Sequence, residues 1–346
     1  MQRRFLGHFD CNCYHVMSRT TGGDFLFGEA EKFIFRRWLR VLSEFLGVRV
    51  LAWCCLSNHF HILVEVPDRD SFARPFVEDE EKLLRHLELI YSRQQVADIR
   101  NEVALYREAG HHSLAEELLL KFTRRMCDLS VFMKELKQRT TLAFNRLHGR
   151  VGTLWMAPFK SVLVETGAGL EMVAAYIDLN PVRAGLVDDP KDYRFCSYGE
   201  AVAGDATSQR GLSRAMGASR NEWRKLAERY RLRLFGAAGA SSSGKADRRV
   251  LSPETINSIL EEGGKLTNSQ LLRCRLRYFI DGAIIGSRAF IEGYFRQAPW
   301  RFGPRRPSGA RQMKGGDWLE LCSVRDLQVK PVVGPATAST PLPPPD

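Results

Sequence analysis

The stretch VRVLAWCCLSNHFHILVEV, residues 48–66, constrains the fold of this chain more than any other. Two runs rich in β-branched, aromatic and apolar residues, VRVLAWCCL (48–56) and HFHILVEV (59–66), are separated only by Ser57 and Asn58. So short a connection predicts antiparallel neighbours in one sheet. On the second strand His59 and His61 alternate with Phe60 and Ile62, so both imidazoles share one face and the apolar groups take the other. Two nitrogen ligands then stand side by side. The same short pattern also arises where histidines only decorate a solvated strand end.

The flanking pattern extends this hairpin into an α+β domain. CYHVMSR (13–19) reads as a strand, followed by a Thr-Gly-Gly turn and an amphipathic run from Glu29 to Leu46 with Phe33, Leu39, Leu42 and Leu46 at helical spacing. Residues 68–128, rich in Glu, Leu, Arg and Gln, predict a helical insertion that runs on into a helix over 129–149. SVLVE (161–165) reads as a strand and LEMVAAYIDLN (170–180) as a helix that Pro181 ends. The first domain is expected to span residues 1–203. Residues 204–250, dense in Gly, Ala and Ser, read as a basic linker interrupted by the helix NEWRKLAERYRLRL. A small C-terminal helical extension is expected over 251–328, with Ser252 as its N-cap, and a Pro-rich disordered tail over 329–346.

Composition narrows the partners. Lys and Arg number 51 against 40 Asp and Glu, a formal charge of +11 that favours polyanions such as nucleic acid. The first residues, MQRRFLGHFD, lack a signal-peptide apolar run, so the 8 cysteines are expected to be reduced thiols of a cytoplasmic or nucleoid-associated protein. No stretch is apolar enough to span a membrane.

A second chemical element is Tyr176, with Asn180 four residues on and, in a continuous helix, one turn away on the same face. A phenol there offers a nucleophile and the amide oxygen of Asn180 a third, hard metal ligand. Two imidazoles and an amide oxygen suit Mg²⁺ or Mn²⁺. An isolated tyrosine in VAAYIDL is usually a core or interface aromatic, and spacing does not bring it to the histidines. A phenol with a pKa near 10 needs help to act at neutral pH; His15 is a candidate base or a structural histidine. For DNA contact, Lys134, Lys137, Arg139, Arg146, Arg150 and Lys160 punctuate one helix and the loop after it, with His148, Trp155 and Phe159 interleaved. Arg183 is a candidate phosphate contact beside Tyr176, or a partner for Asp178 or Asp188.

The runs YHVMSRT (14–20), LAWCCLSNHFHILVEVP (51–67), FMKELKQRTTLAFNRLHGRVGTLWMAPFKSVLVE (132–165), YIDLNPVRAGLV (176–187) and DYRFCSY (192–198) occur in that order. Together they resemble the successive blocks of REP-associated tyrosine transposases, relatives of the single-tyrosine insertion-sequence transposases in the HUH endonuclease superfamily. The resemblance covers roughly residues 12–200. It implies a ferredoxin-like palm with the His-x-His strand central and the tyrosine helix packed across it. It further implies a divalent metal on His59 and His61, Tyr176 as nucleophile, Asn180 in the position of a polar ligand, and hairpin-forming palindromic single-stranded DNA as substrate. A monomer or a homodimer is expected. Leu56-Ser57-Asn58 stands where the family more usually has Met-Pro-Asn, and the insertion before Ser130 is longer than in compact relatives. LRYFIDGAIIGSRAFIE (276–292) is similar to a C-terminal extension of longer members, and Arg273, Arg275, Arg277 and Arg288 there would suit DNA binding or packing. Two other readings fit some of the same residues. One is a structural-zinc protein using Cys11, Cys13, Cys54, Cys55, His59 and His61; the other is a DNA-binding regulator that has lost catalysis.

Overall fold

Alternation along β1 (Cys11–Arg19) decides the architecture, because this strand has a neighbour on each side. It pairs antiparallel with β3 (His59–Pro67) and with β4 (Lys160–Val164), so that His15 lies opposite Leu63 in one ladder and Val162 in the other. β2 (Arg49–Cys55) pairs antiparallel with the outer side of β3, closing the hairpin that the sequence requires. The computed structural model describes residues 11–239, most of 271–324, and 332–333. Between β1 and β2 runs helix α1 (Glu29–Leu46), which Gly47 ends in the left-handed conformation (φ 68°). The insertion is helical: α2 (Arg69–Val77), α3 (Glu80–Leu87), α4 (Arg93–Glu108) and α5 (His112–Thr123), with a Ser92/Gln95 capping box opening α4. α6 (Leu129–Leu147), capped by Asp128, then leads to β4. The order through β4 is thus β-α-β-β-α-β, with strands arranged β2-β3-β1-β4.

The two sheet faces have different coverings. Tyr14, Val16, Phe60, Ile62 and Val64 share the face on which α1 and α6 build the main apolar core, with Phe35 packed 4.7 Å from Phe60 between ring centroids. His15, Met17 and Arg19 of β1, His59 and His61 of β3 and Lys160 of β4 share the other face by register. Across that face lies α7 (Ala168–Asp178), which carries Tyr176.

Three expectations need correction. The helix of Tyr176 does not run on to Asn180: it stops at Leu179, and a one-turn helix α8 (Asn180–Arg183) follows. Pro181 has no N–H to give the Ile177 carbonyl, which the Asn180 side-chain amide reaches instead at 3.2 Å. The stretch expected to be a linker holds packed helices, α9 (Ser197–Val202) just before it, α10 (Ala206–Ala215) and α11 (Trp223–Gly239) within it. Arg229 and Arg233 of α11 pair with Glu171 of α7, Arg231 pairs with Asp189, and the Tyr230 hydroxyl donates to Asp178 at 2.7 Å. Three of the arginines of α11 are therefore paired within the fold, two of them with the tyrosine helix. Finally, the C-terminal region is not simply helical. β5 (Arg275–Leu276), α12 (Arg277–Asp281), β6 (Ile284–Gly286), α13 (Arg288–Gln297), β7 (Arg311–Gln312) and β8 (Cys322–Ser323) succeed one another. β6 pairs parallel with β4, and β8 and β7 follow, so that among the described residues one sheet of seven strands is continuous from end to end. The expected N-cap Ser252 lies outside the described residues, as does the tail apart from β9 (Val332–Val333), which pairs with β5.

α10 approaches the edge of β2 closely because residue 211 is glycine. A Cβ there would sit 2.7 Å from both the Val50 and the Leu51 carbonyl oxygens. Alanine is the better helix former by about 1 kcal/mol, but a clash with two backbone atoms cannot be relieved by a rotamer. Gly211→Ala should therefore lower stability, by about 1–3 kcal/mol, in a denaturant melt; an unchanged or raised midpoint would contradict this packing.

Candidate active site

The histidine face and the tyrosine helix meet at one buried point. Tyr176 is 1% exposed. Its ring stands edge-on to His61, with centroids 6.1 Å apart and planes at 89°, and edge-on to His15 at 6.3 Å and 76°. Covering its face is the guanidinium of Arg183, 3.8 Å from the ring centroid, a contact worth about 2 kcal/mol when desolvated. The same guanidinium donates to the Tyr176 carbonyl at 2.7 Å and to the Leu272 carbonyl at 2.6 Å. It thereby caps a carbonyl at the helix break. Phe279 of α12 closes the remaining side, its ring 4.8 Å from that of Tyr176.

His61 is buried and His59 half-buried at the start of β3, with ring centroids 5.3 Å apart at 81°. His61 Nδ1 lies 2.8 Å from His15 Nε2, and His15 Nδ1 lies 2.9 Å from the Phe279 carbonyl oxygen. Both ring nitrogens of His15 are engaged, which removes it as the base for Tyr176. Burial pushes the His15 pKa down to about 4, and the Phe279 carbonyl only partly offsets this. His61 is held well below the ordinary histidine range by burial, and the proximity of His15, His59, Arg183 and Arg19 adds to the effect. At neutral pH both rings are uncharged, the form that ligates a metal.

The residues fit an open site better than a closed one. Among the described residues no three His, Cys, Asp or Glu side chains form a group that would hold a metal ion. Cys54 opposes His61 in the β2–β3 ladder, but burial raises its thiol well above the ordinary value and keeps it protonated. The seven cysteines among the described residues are free thiols. A pair of imidazoles on one strand fits a divalent cation whose other positions go to water and substrate oxygens. The Asn180 amide nitrogen donates to the Ile177 carbonyl at the helix break, a bond that does not engage its amide oxygen.

The basic residues expected to contact DNA divide into two groups. Lys134, Arg146, Arg150 and Lys160 are exposed. Arg139 instead pairs with Glu135 at 3.0 Å and lies over the Trp38 ring, and Lys137 Nζ donates to the Ala157 carbonyl at 2.7 Å while burial lowers its pKa to about 8. Trp155 is core: its indole N–H donates to Lys137 and Thr141, and its ring packs on Phe60. His148 is tied to Glu31 at 2.8 Å. Arg19 was not singled out in the sequence, yet it stands opposite His59, and Lys160 and His61 each stand opposite Met17. The histidine pair is thus flanked by two cations on one sheet face. Alternation from His15 would have put Arg19 on that face; the pairing that brings it to His59 is invisible without the fold. A cavity of about 710 Å³ lined by Arg40, Arg49, Arg210, Arg214 and Arg220 lies instead along α1, β2 and α10, and neither the histidines nor Tyr176 line it.

No protein-family model matches this chain, and no curated protein matches it. A solved structure described as a REP-associated tyrosine transposase bound to a REP hairpin is similar at 15% identity, over 63% of this chain and 92% of that one, with a TM-score of 0.38. No helix among the described residues is long and apolar enough to cross a membrane.

The buried neutral imidazole of His15 makes stability depend on pH. Its folded-state pKa is depressed, so below about 6.5 the unfolded chain binds a proton that the folded chain refuses. The stability it contributes is complete above that pH and is lost progressively as pH falls towards about 4. Unfolding free energy should drop by roughly 1–2 kcal/mol between pH 6.5 and 5, and His15→Phe should flatten this slope. An equal slope in the variant would contradict the assignment.

Proposed function

We propose that the chain is a metal-dependent DNA strand transferase with Tyr176 as its nucleophile, acting on single-stranded DNA folded into palindromic hairpins. The observation that carries this reading is the packing of one phenol against His61, His15 and Arg183 on the polar face of the central strands. A core tyrosine would be at home among apolar neighbours; this one has a guanidinium over its face and two imidazoles at its edge beside the Phe279 ring. The β-α-β-β-α-β order corresponds to the ferredoxin-like palm that the sequence motifs imply, and the hairpin substrate is drawn from those motifs as well.

In the proposed reaction the Tyr176 oxygen attacks the scissile phosphorus as the P–O3′ bond breaks. A 5′-phosphotyrosine forms, the phenolic proton is lost, and the departing 3′ oxygen takes up a proton to become a hydroxyl. A 3′-hydroxyl later attacks the same phosphorus, rejoins the DNA and returns the phenol, so no nucleotide cofactor is consumed. A divalent cation, Mg²⁺ or Mn²⁺, held by His59 and His61 would polarise the scissile phosphate as a Lewis acid. Arg183 places a fixed positive charge over the phenol ring, and Arg19 and Lys160 supply phosphate contacts at the mouth of the same face. Lys134, Arg146 and Arg150 extend the basic surface along and beyond α6.

The burial of Tyr176 favours a second reading, a hairpin-binding regulator in which the phenol is never presented to DNA. For the transferase, the Phe279 ring must move to admit a strand. Cleavage of end-labelled single-stranded DNA carrying the palindromes that flank the gene separates the two. We expect nicking with Mg²⁺ or Mn²⁺, none in EDTA, and a loss of at least a thousandfold in Tyr176→Phe and in the His59→Ala/His61→Ala double variant. Undiminished cleavage by Tyr176→Phe would overturn the nucleophile, and tight hairpin binding without any cleavage would select the regulator.

A further inference from the structure

The protons on the two strand histidines can be traced bond by bond. A backbone carbonyl only accepts, so the 2.9 Å contact to Phe279 requires the His15 proton on Nδ1. With one proton on that ring, Nε2 is an acceptor. Its 2.8 Å contact with His61 Nδ1 then requires the His61 proton on Nδ1, which leaves the lone pair on Nε2. His59 is set in the same way by a different route. Asn58 Nδ2 donates to the Gly23 carbonyl at 2.9 Å, so the amide oxygen is the atom facing His59 Nδ1 at 2.6 Å. That oxygen can only accept, and it fixes the His59 proton on Nδ1.

We propose that His15 and Asn58 are positioning residues that impose the same tautomer on His61 and His59, turning the Nε2 lone pairs of both rings into a matched pair of metal ligands. This rests on the metal-site reading above. Each relay ends on a backbone carbonyl from a separate part of the chain, Gly23 in the turn after β1 and Phe279 in the C-terminal region. Phe279 has a double role: its ring packs on Tyr176 while its carbonyl orients His15. The C-terminal segment is on this account part of the active site and not an appendage to it. Outer partners of this type commonly set ligand orientation, and their loss weakens metal binding by about 10–100-fold.

Long-range ¹H–¹⁵N correlation spectra of the full chain labelled at histidine read the tautomers directly, without added metal. His59 and His61 are both expected to be protonated on Nδ1 and bare on Nε2; a proton on Nε2 of either ring in the wild-type chain overturns the relay. Mn²⁺ titration followed by electron paramagnetic resonance gives the second reading. His15→Phe keeps the ring volume and removes the relay, and should mix the His61 tautomers and weaken Mn²⁺ binding about 10–100-fold. His15→Gln, which can donate to Phe279 and accept from His61, should restore most of it. Wild-type Mn²⁺ affinity in folded His15→Phe would refute the positioning role. If the His59→Ala/His61→Ala variant binds Mn²⁺ as the wild type does, the metal-site reading itself fails and takes the ligand role with it, while the tautomer spectra still judge the relay.

Discussion

The antiparallel register of β1 on β3 is the constraint on which the rest of the site depends. Because side chains alternate with a period of two, a slip of one residue would carry His15 or His61 onto the face where Phe60 and Ile62 of β3 pack beneath α1 and α6. The observed register places Met17 opposite His61 and Arg19 opposite His59, and brings His15 diagonally within hydrogen-bonding distance of His61. One face of the central strands is thereby committed to the apolar core and the other to the three histidines. Phe60 and Ile62 help to enforce that division, since their burial opposes any alternative pairing.

A second constraint is the break at Pro181. It ends the tyrosine helix, leaves the Ile177 carbonyl to the side chain of Asn180 and turns Arg183 back over the Tyr176 ring. The helix is then fixed from its far side by α11 through the Glu171 and Asp178 contacts. Asp178, fully buried, has its pKa raised to about 7 by that burial, although the Tyr230 hydroxyl and the Tyr198 backbone N–H both donate to it. The phenol is therefore held in place by contacts with the sheet below, Arg183 and Phe279 at its ring, and α11 behind.

Much of this was legible in the sequence where periodicity is strong. The hairpin at residues 48–66, the helix from Glu29 to Leu46 and the sharing of one face by His59 and His61 follow from alternation and spacing, and the structure has them all. Where reading failed, the cause was non-local. Asn180 was placed one turn beyond Tyr176 by a helical period that Pro181 interrupts. Lys137 and Trp155 looked like a basic and aromatic surface, yet each supplies a hydrogen bond within the fold. The Gly/Ala/Ser content of residues 204–250 masked α10, and although the basic helix within it was legible, its ion pairs with distant acids were not. Strands of two or three residues, such as β6 and β8, carry no periodic signal at all; β6 exists because β4 offers it an edge, and β8 because β6 does. The roles of His15 and Asn58 likewise depend on carbonyls far away in sequence.

The central claim is that the Tyr176 oxygen becomes joined to DNA. Peptide mapping by mass spectrometry, after incubating the full chain with Mn²⁺ and hairpin-bearing single-stranded DNA and digesting with nuclease and protease, tests it most directly. The account predicts a nucleotide remnant on the peptide that contains Tyr176. A remnant on a different tyrosine, or strand cleavage with no covalent remnant on any peptide, would contradict it.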